Sequence, residues 1–253
     1  MSHTIEAVDK CAFEAWPAAE VIALRGWRLR FMHGVTRRGN SVWPCAARGG
    51  LSDVESRARV EHVEKCYADR GLPVAFQMTP LANPPELDAF LQSRGYALDA
   101  PTAVYATLAT DISRSAPRGV ATTVSDVLTD AWFGVSGRRG RFSDVAGVYA
   151  DLLARIGPRA RYALAQVDGT PCAVGLGVLG AGRLGIFSML TLPEFRRRGA
   201  GRAILWALAA CAVDAGAEEV YLQVEKDNAA ALELYRSASF RELYTYHYRV
   251  RPK

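Results

Sequence analysis

The 253-residue chain lacks several features that would have fixed its class at once. No apolar run approaches the ~20 residues that span a bilayer, so a membrane helix is not expected. The opening "MSHTIEAVDKCAFEAW" has no basic region followed by an apolar one, so no secretory signal is expected. Its five cysteines (Cys11, Cys45, Cys66, Cys172, Cys211) are odd in number, scattered, and without metal-ligand spacing. Free thiols in a reducing cytoplasm follow, and no metal site. GxxxxGK followed by Ser or Thr is absent, which excludes a nucleotide P-loop. The third small residue of a dinucleotide fingerprint is missing too, because Ile204 follows Gly199-Ala200-Gly201-Arg202-Ala203. A net charge of +5 permits an anionic ligand or nucleic acid and requires neither.

Half of the residues are apolar, enough for one large or two ordinary domains, each with a core. In the first half, Trp27, Leu29 and Phe31 alternate with Arg28 and Arg30 as in a half-buried strand, and "NSVWPC" gives a second short one. Ser52 and Glu55 have capping-box spacing and open a helix that aligns Val60, Val63 and Tyr67 and stops near Gly71. Val74, Phe76 and Met78 alternate in another strand. "PPELDAFLQSRGY" reads as a short helix ended by Gly95, and "TAVYATLA" as a closing strand. The Ser-, Arg-, Pro- and Gly-rich stretch around 110–118 reads as a linker between domains 1–112 and 113–253.

The second half begins with a strand at 119–123, helices near 125–135 and 144–156, and strands "RYALAQV", "PCAVGLGVL" and "RLGIFSML". A glycine-rich turn then opens a helix with Ile204, Leu205, Leu208, Cys211, Ala212 and Ala215 at helical spacing. The strand "EEVYLQVEK", a helix from Asn228 to about Ala238 and the strand "LYTYHYRV" complete the pattern. Helices mixed with hairpin-linked strands mean an α/β (α+β) fold. A short echo links "FQMT…ELDAFLQSRGY" to "LQVE…ALELYRSASF", as two related modules would, of which only the second carries the arginine-glycine turn.

That turn is "PEFRRRGAGRA". Glycines without Cβ allow close approach of backbone to a ligand, and a helix start presents unpaired N–H groups and the positive end of a dipole. Phosphate or pyrophosphate is the natural occupant, with Arg196, Arg197, Arg198 and Arg202 around it. An apolar strand ending in Pro-Glu-aromatic, then Arg-x-x-Gly-x-Gly and an amphipathic helix, resembles the acetyl-CoA-binding segment of the GNAT N-acetyltransferase superfamily. Further landmarks agree: the strand Val220 to Val224, Asn228, Ala231, Leu234-Tyr235 and Phe240. One departs, since Ser239 stands where the family often has Gly before the final aromatic. The resemblance covers roughly 184–245, with element order matching back to 119. It implies a mixed, mostly antiparallel sheet flanked by helices, and a degenerate module of the same kind in the first half.

The resemblance also implies a mechanism. Strand 184–190 splays from strand 220–224, freeing amides at Met189, Leu190 and Thr191 for the pantetheine arm. The pyrophosphate lies on residues 197–202, including Gly199, Ala200 and Gly201. Asn228, Ala231 and Tyr235 share one helical face along the same groove. Tyr235 is the candidate acid, against a packed core aromatic. Glu225 is the candidate base, with Glu194 second, both against ordinary surface carboxylates. The expected reaction is direct attack of a primary amine, of a small molecule or a protein lysine, on the thioester of acetyl-CoA. The alternative is a non-catalytic acyl-CoA sensor. Nucleic-acid binding ranks last, because the basic patches are short and poor in aromatics. Arg138, Arg139 and Arg141, and likewise His33, Arg37 and Arg38, either receive an acceptor or are solvated loops. A homodimer stays open, and no membrane partner is expected.

Overall fold

The computed structural model describes residues 2–45, 53–112 and 118–251. Two compact units divide the chain: one of residues 1–17 and 104–243, the other of 18–103 and 244–253. This division differs from a cut at 112/113. Alternation identifies a strand without naming its partner, and long-range pairing assigns the chain ends to the units.

The unit containing 104–243 starts with α1 (Ser2–Glu14), which the expectations above do not contain. Val8, Cys11 and Ala12 fall on its buried side, and just beyond it Ala15 is buried and Trp16 packs on Phe187 with ring centroids 5.5 Å apart. The end of β5 (Ala97–Leu108) also belongs here. Next come β6 (Ala121–Ser125), α4 (Asp130–Ser136), α5 (Ala146–Ile156), β7 (Ala160–Val167), β8 (Thr170–Gly180) and β9 (Arg183–Thr191). They are followed by α6 (Ala200–Asp214), β10 (Glu219–Glu225) and α7 (Ala229–Ser237). The strand order is β5-β10-β9-β8-β7-β6, antiparallel from β6 to β9 and parallel between β9 and β10.

Local chemistry sets these boundaries. The turns Asp168-Gly169 and Ala181-Gly182 have positive φ at both residues, the type I′ geometry that suits tight hairpins. Thr129 caps α4 by accepting the Trp132 amide at 3.2 Å, which starts that helix later than residue 125. On α6 the buried residues are Ala200, Ala203, Ile204, Leu205, Ala207, Leu208, Ala209 and Ala212. Cys211 is only half-buried and Ala215 is exposed, so the stripe runs through small alanines rather than through both of them. Each fully buried Ile or Leu here contributes about 1.5–3 kcal/mol.

The other unit holds β1 (Glu20–Leu24), also absent from the expectations, β2 (Trp27–Phe31), β3 (Val42–Trp43), α2 (Asp53–Ala68), β4 (Ala75–Met78) and α3 (Leu87–Ser93). Ser52 of the expected capping box lies outside the described residues, as does most of the linker. The core contains the residues read from the strand alternation and the helix face, Trp27, Leu29 and Phe31 with Val60, Val63, Tyr67, Val74, Phe76 and Met78, together with Val42, Leu87, Leu91 and Tyr96. Residues 244–250 of β11 (Arg241–Val250) pair antiparallel with β4, from His247 opposite Met78 to Val250 opposite Ala75. Asp88 anchors that strand by accepting from Arg249 Nη2 at 2.8 Å and pairing with His247 Nε2 at 2.7 Å. Among the described residues, no helix is long and apolar enough to cross a membrane, and no group of three or more His, Cys, Asp or Glu side chains is placed to hold a metal.

Candidate active site

Strands β9 and β10 run side by side only from Arg183–Glu219 to Ile186–Leu222. Beyond that register β9 continues to Thr191 without β10, so the edge of Phe187–Thr191 that faces β10 carries no ladder to it. A β-bulge sits at the parting. Leu176 pairs with Phe187 and Val174 with Leu190, leaving Ser188 and Met189 opposite Gly175 alone. Gly175 is required there by space: a Cβ would stand 2.5 Å from Ile204 Cγ2 and 2.8 Å from Met189 Sδ.

After β9 the chain turns through Pro193–Phe195 into the helix start. Arg197 has φ 61° and Gly199, the residue capping α6, has φ 86°. This left-handed pair folds the arginine run back and delivers the first amides of α6. Ala203 N donates to Gly199 O at 3.0 Å, while the amides of residues 200–202 precede this first intrahelical donor. A Cβ on Gly201 would lie 3.3 Å from Leu234 Cδ2 and 3.6 Å from Thr191 Oγ1, so this glycine draws α6, α7 and the end of β9 close together.

These elements border one cleft of about 760 Å³. It is lined by Met189, Leu190 and Thr191 of β9, by Arg196, Arg197, Gly199, Ala200, Gly201 and Arg202 of the turn, and by Asn228, Ala231 and Tyr235 of α7. Phe195, Ala230, Glu233, Leu234 and Ser237 complete it. Asn228 Oδ1 caps α7 by accepting the Ala231 amide at 3.1 Å, which explains an Asn at that place. Arg202 Nη2 donates to Ser237 Oγ at 3.4 Å. Arg197 stands 3.7 Å from Glu233, an exposed pair that leaves the guanidinium available to a stronger anion. Tyr235 is 6% exposed and meets Phe240 edge-on at 6.0 Å. Burial alone pushes its phenol up to about 12, so it holds its proton throughout the neutral range.

Three expected residues are placed elsewhere. Arg198 does not line the cleft: it lies over the Phe195 ring at 5.5 Å and stands 3.8 Å from Asp168. Glu225 is exposed at the end of β10 and does not line the cleft. Glu194 accepts from Arg139 Nη2 at 2.6 Å. A backbone N–H bond and that guanidinium hold its carboxyl below the usual range, which makes it a poorer base. The loop arginines are likewise engaged: Arg138 stands 3.9 Å from Asp130, and Arg141 lies 4.7 Å over Phe142. In the other unit His33 is exposed and Arg37 is paired with Asp99 at 2.6 Å. Phe195, Ala230, Glu233, Leu234 and Ser237 also line the cleft and are not among the expected site residues; of these Leu234 follows from the α7 face, three residues after Ala231.

The chain matches the family model described as "Probable histone acetyltransferase Rv0428c C-terminal" over residues 2–250. It is 29% identical over 254 residues to an uncharacterized N-acetyltransferase, YobR, of Bacillus subtilis strain 168, covering 98% of each chain. A GCN5-related N-acetyltransferase from Kribbella flavida has the same fold, with TM-score 0.73 at 18% identity over 99% of this chain and 95% of that one. So does a tandem GNAT protein from the clavulanic acid biosynthesis pathway, with TM-score 0.66 at 15% identity over 82% and 74% of the two chains. With the family model spanning nearly its whole length, the chain belongs to that family, within the GNAT superfamily, and is an N-acetyltransferase.

Proposed function

We propose that the cleft binds acetyl-CoA and that the protein transfers its acetyl group directly to a primary amine of a small molecule or a protein lysine. The observation that carries this reading is the shared cleft: the unpaired strand edge, the α6 amides and Tyr235 face one space. The residues fit the group. A diphosphate suits amides 200–202 with Arg196, Arg197 and Arg202 at hand, where the glycines leave room for it. Bound there, acetyl-CoA supplies an acyl thioester, which amines attack readily.

The chain's own residues have three tasks. The edge of Met189–Thr191 facing β10 orients an extended ligand as an added strand would be oriented. A freed N–H near Leu190 serves as donor to developing negative charge on oxygen. Tyr235 holds a proton in a buried position and is the acid candidate. Neither Glu225 nor Glu194 lines the cleft, and on this reading the amine arrives neutral from solvent. An unperturbed amine has a pKa of about 10.4, and the rate should therefore climb with pH through 7–9.

The test is incubation with acetyl-CoA and a panel of primary amines, following free thiol. Release that depends on an amine supports the reading. Coenzyme binding by calorimetry without thiol release from any amine favours a sensor instead.

A further inference from the structure

The bulge that precedes the cleft is held from outside it. Ser188, the first bulged residue, has φ 49°, a left-handed conformation that a residue with a Cβ keeps only when its surroundings impose it. Tyr149 of α5 donates its hydroxyl to Ser188 Oγ at 2.8 Å and shares a 3.1 Å hydrogen bond with Ser136 Oγ of α4. Across the bulge, Trp132 Nε1 of α4 donates to Gly175 O at 3.2 Å, taking up the carbonyl opposite the extra residue. The Tyr149 ring is fully buried, stacked on Phe142 at 4.2 Å and on Phe133 at 6.2 Å. Burial raises its pKa, so the hydroxyl remains a donor at neutral pH. None of Ser136, Tyr149 or Ser188 lines the cleft.

The bulge matters because side chains alternate with a period of two. One extra residue reverses the facing of every residue after it. The residues directly after Ser188 are Met189, Leu190 and Thr191, which form the strand wall of the cleft.

We propose that Tyr149 is a positioning residue for the coenzyme cleft: braced by Ser136, its hydroxyl tethers Ser188 in the bulge that aims residues 189–191 at the ligand. The inference rests on the reading of the cleft as the acetyl-CoA site. It separates two roles that a packed tyrosine combines, since Tyr149→Phe keeps the stacked ring and removes only the tether.

The experiment measures the Kd of CoA by calorimetry and amide hydrogen exchange over 187–191, neither of which needs turnover. Tyr149→Phe is expected to weaken CoA about fivefold, the worth of one net hydrogen bond, and to speed exchange in that segment. Ser188→Gly in the Tyr149→Phe background is expected to restore affinity, because glycine adopts φ 49° untethered. Should Tyr149→Phe fail to fold, the contrast at residue 188 decides: Ser188→Ala removes the acceptor, keeps the strain and is expected to bind worse than Ser188→Gly. Wild-type binding with every variant within twofold of it overturns the tether and leaves the cleft reading standing, as does failure of glycine to rescue. A wild-type protein that does not bind CoA overturns both.

Discussion

Removing one oxygen from Tyr235 separates catalysis from packing. The Tyr235→Phe ring keeps its burial and its edge-on contact with Phe240, so the fold should be nearly unaffected. What changes is a proton held at a pKa of about 12. An ordinary thiol has a pKa of about 8.5, so complete transfer from this phenol to a departing thiolate runs uphill. On the proposed reading, the acid role of Tyr235 then consists of a hydrogen bond to the charge developing on the departing sulfur. A hydrogen bond to a charged group contributes about 1.5–3 kcal/mol, which corresponds to a roughly 10- to 150-fold fall in kcat. The assay is thiol release at saturating acetyl-CoA, with the Kd of CoA measured in parallel. Expected are a fall in kcat within that range, a Kd within twofold of wild type, and pH profiles that stay parallel up to about pH 11. An unchanged kcat, or a loss lying wholly in Kd, would refute the assignment and return Tyr235 to the core.

Other outcomes follow from the same geometry. Ser239 has φ 69° at the end of α7, where its Cβ is strained, so Ser239→Gly should stabilise the protein by about 1 kcal/mol and raise its thermal midpoint by about 2–4 °C. Reversing charge with Arg196→Glu and Arg202→Glu together should weaken CoA more than tenfold at low salt, with a smaller effect at high salt; equal affinity would remove the phosphate site from the α6 start. Alkaline pH should destabilise the fold. The Tyr235 phenol is raised in the folded state, so its contribution is intact below about pH 10 and lost by about pH 12; buried Tyr67 and Tyr248 are shifted the same way. Chemical denaturation at pH 8 and pH 11 checks the sign, and equal stability would contradict it.

The sequence made the α6 mouth readable because its signals are local: glycines, arginines and a helical period within twenty residues. The α7 face was readable for the same reason, with Asn228, Ala231 and Tyr235 in one cleft as their spacing implies. Arg198 shows where spacing fails. A run of three arginines has no visible phase until the left-handed backbone at Arg197 sets which of them turn inward. Glu225 is legible only as the end of a strand, and that position is exposed rather than in the cleft. The period of Val8, Cys11 and Ala12 was present for α1, in a segment whose composition answers only the question of a leader. The tether at Ser188 joins residues 39 apart in sequence, and no local pattern announces it.

The chain ends have crossed allegiances. The first seventeen residues belong with 104–243, and the last ten with 18–103. A polypeptide severed between 112 and 113 would thus yield two pieces, each missing a part that the other carries. Neither stretch makes a self-sufficient building block for domain shuffling, and mixing the pieces should reconstitute what neither forms alone.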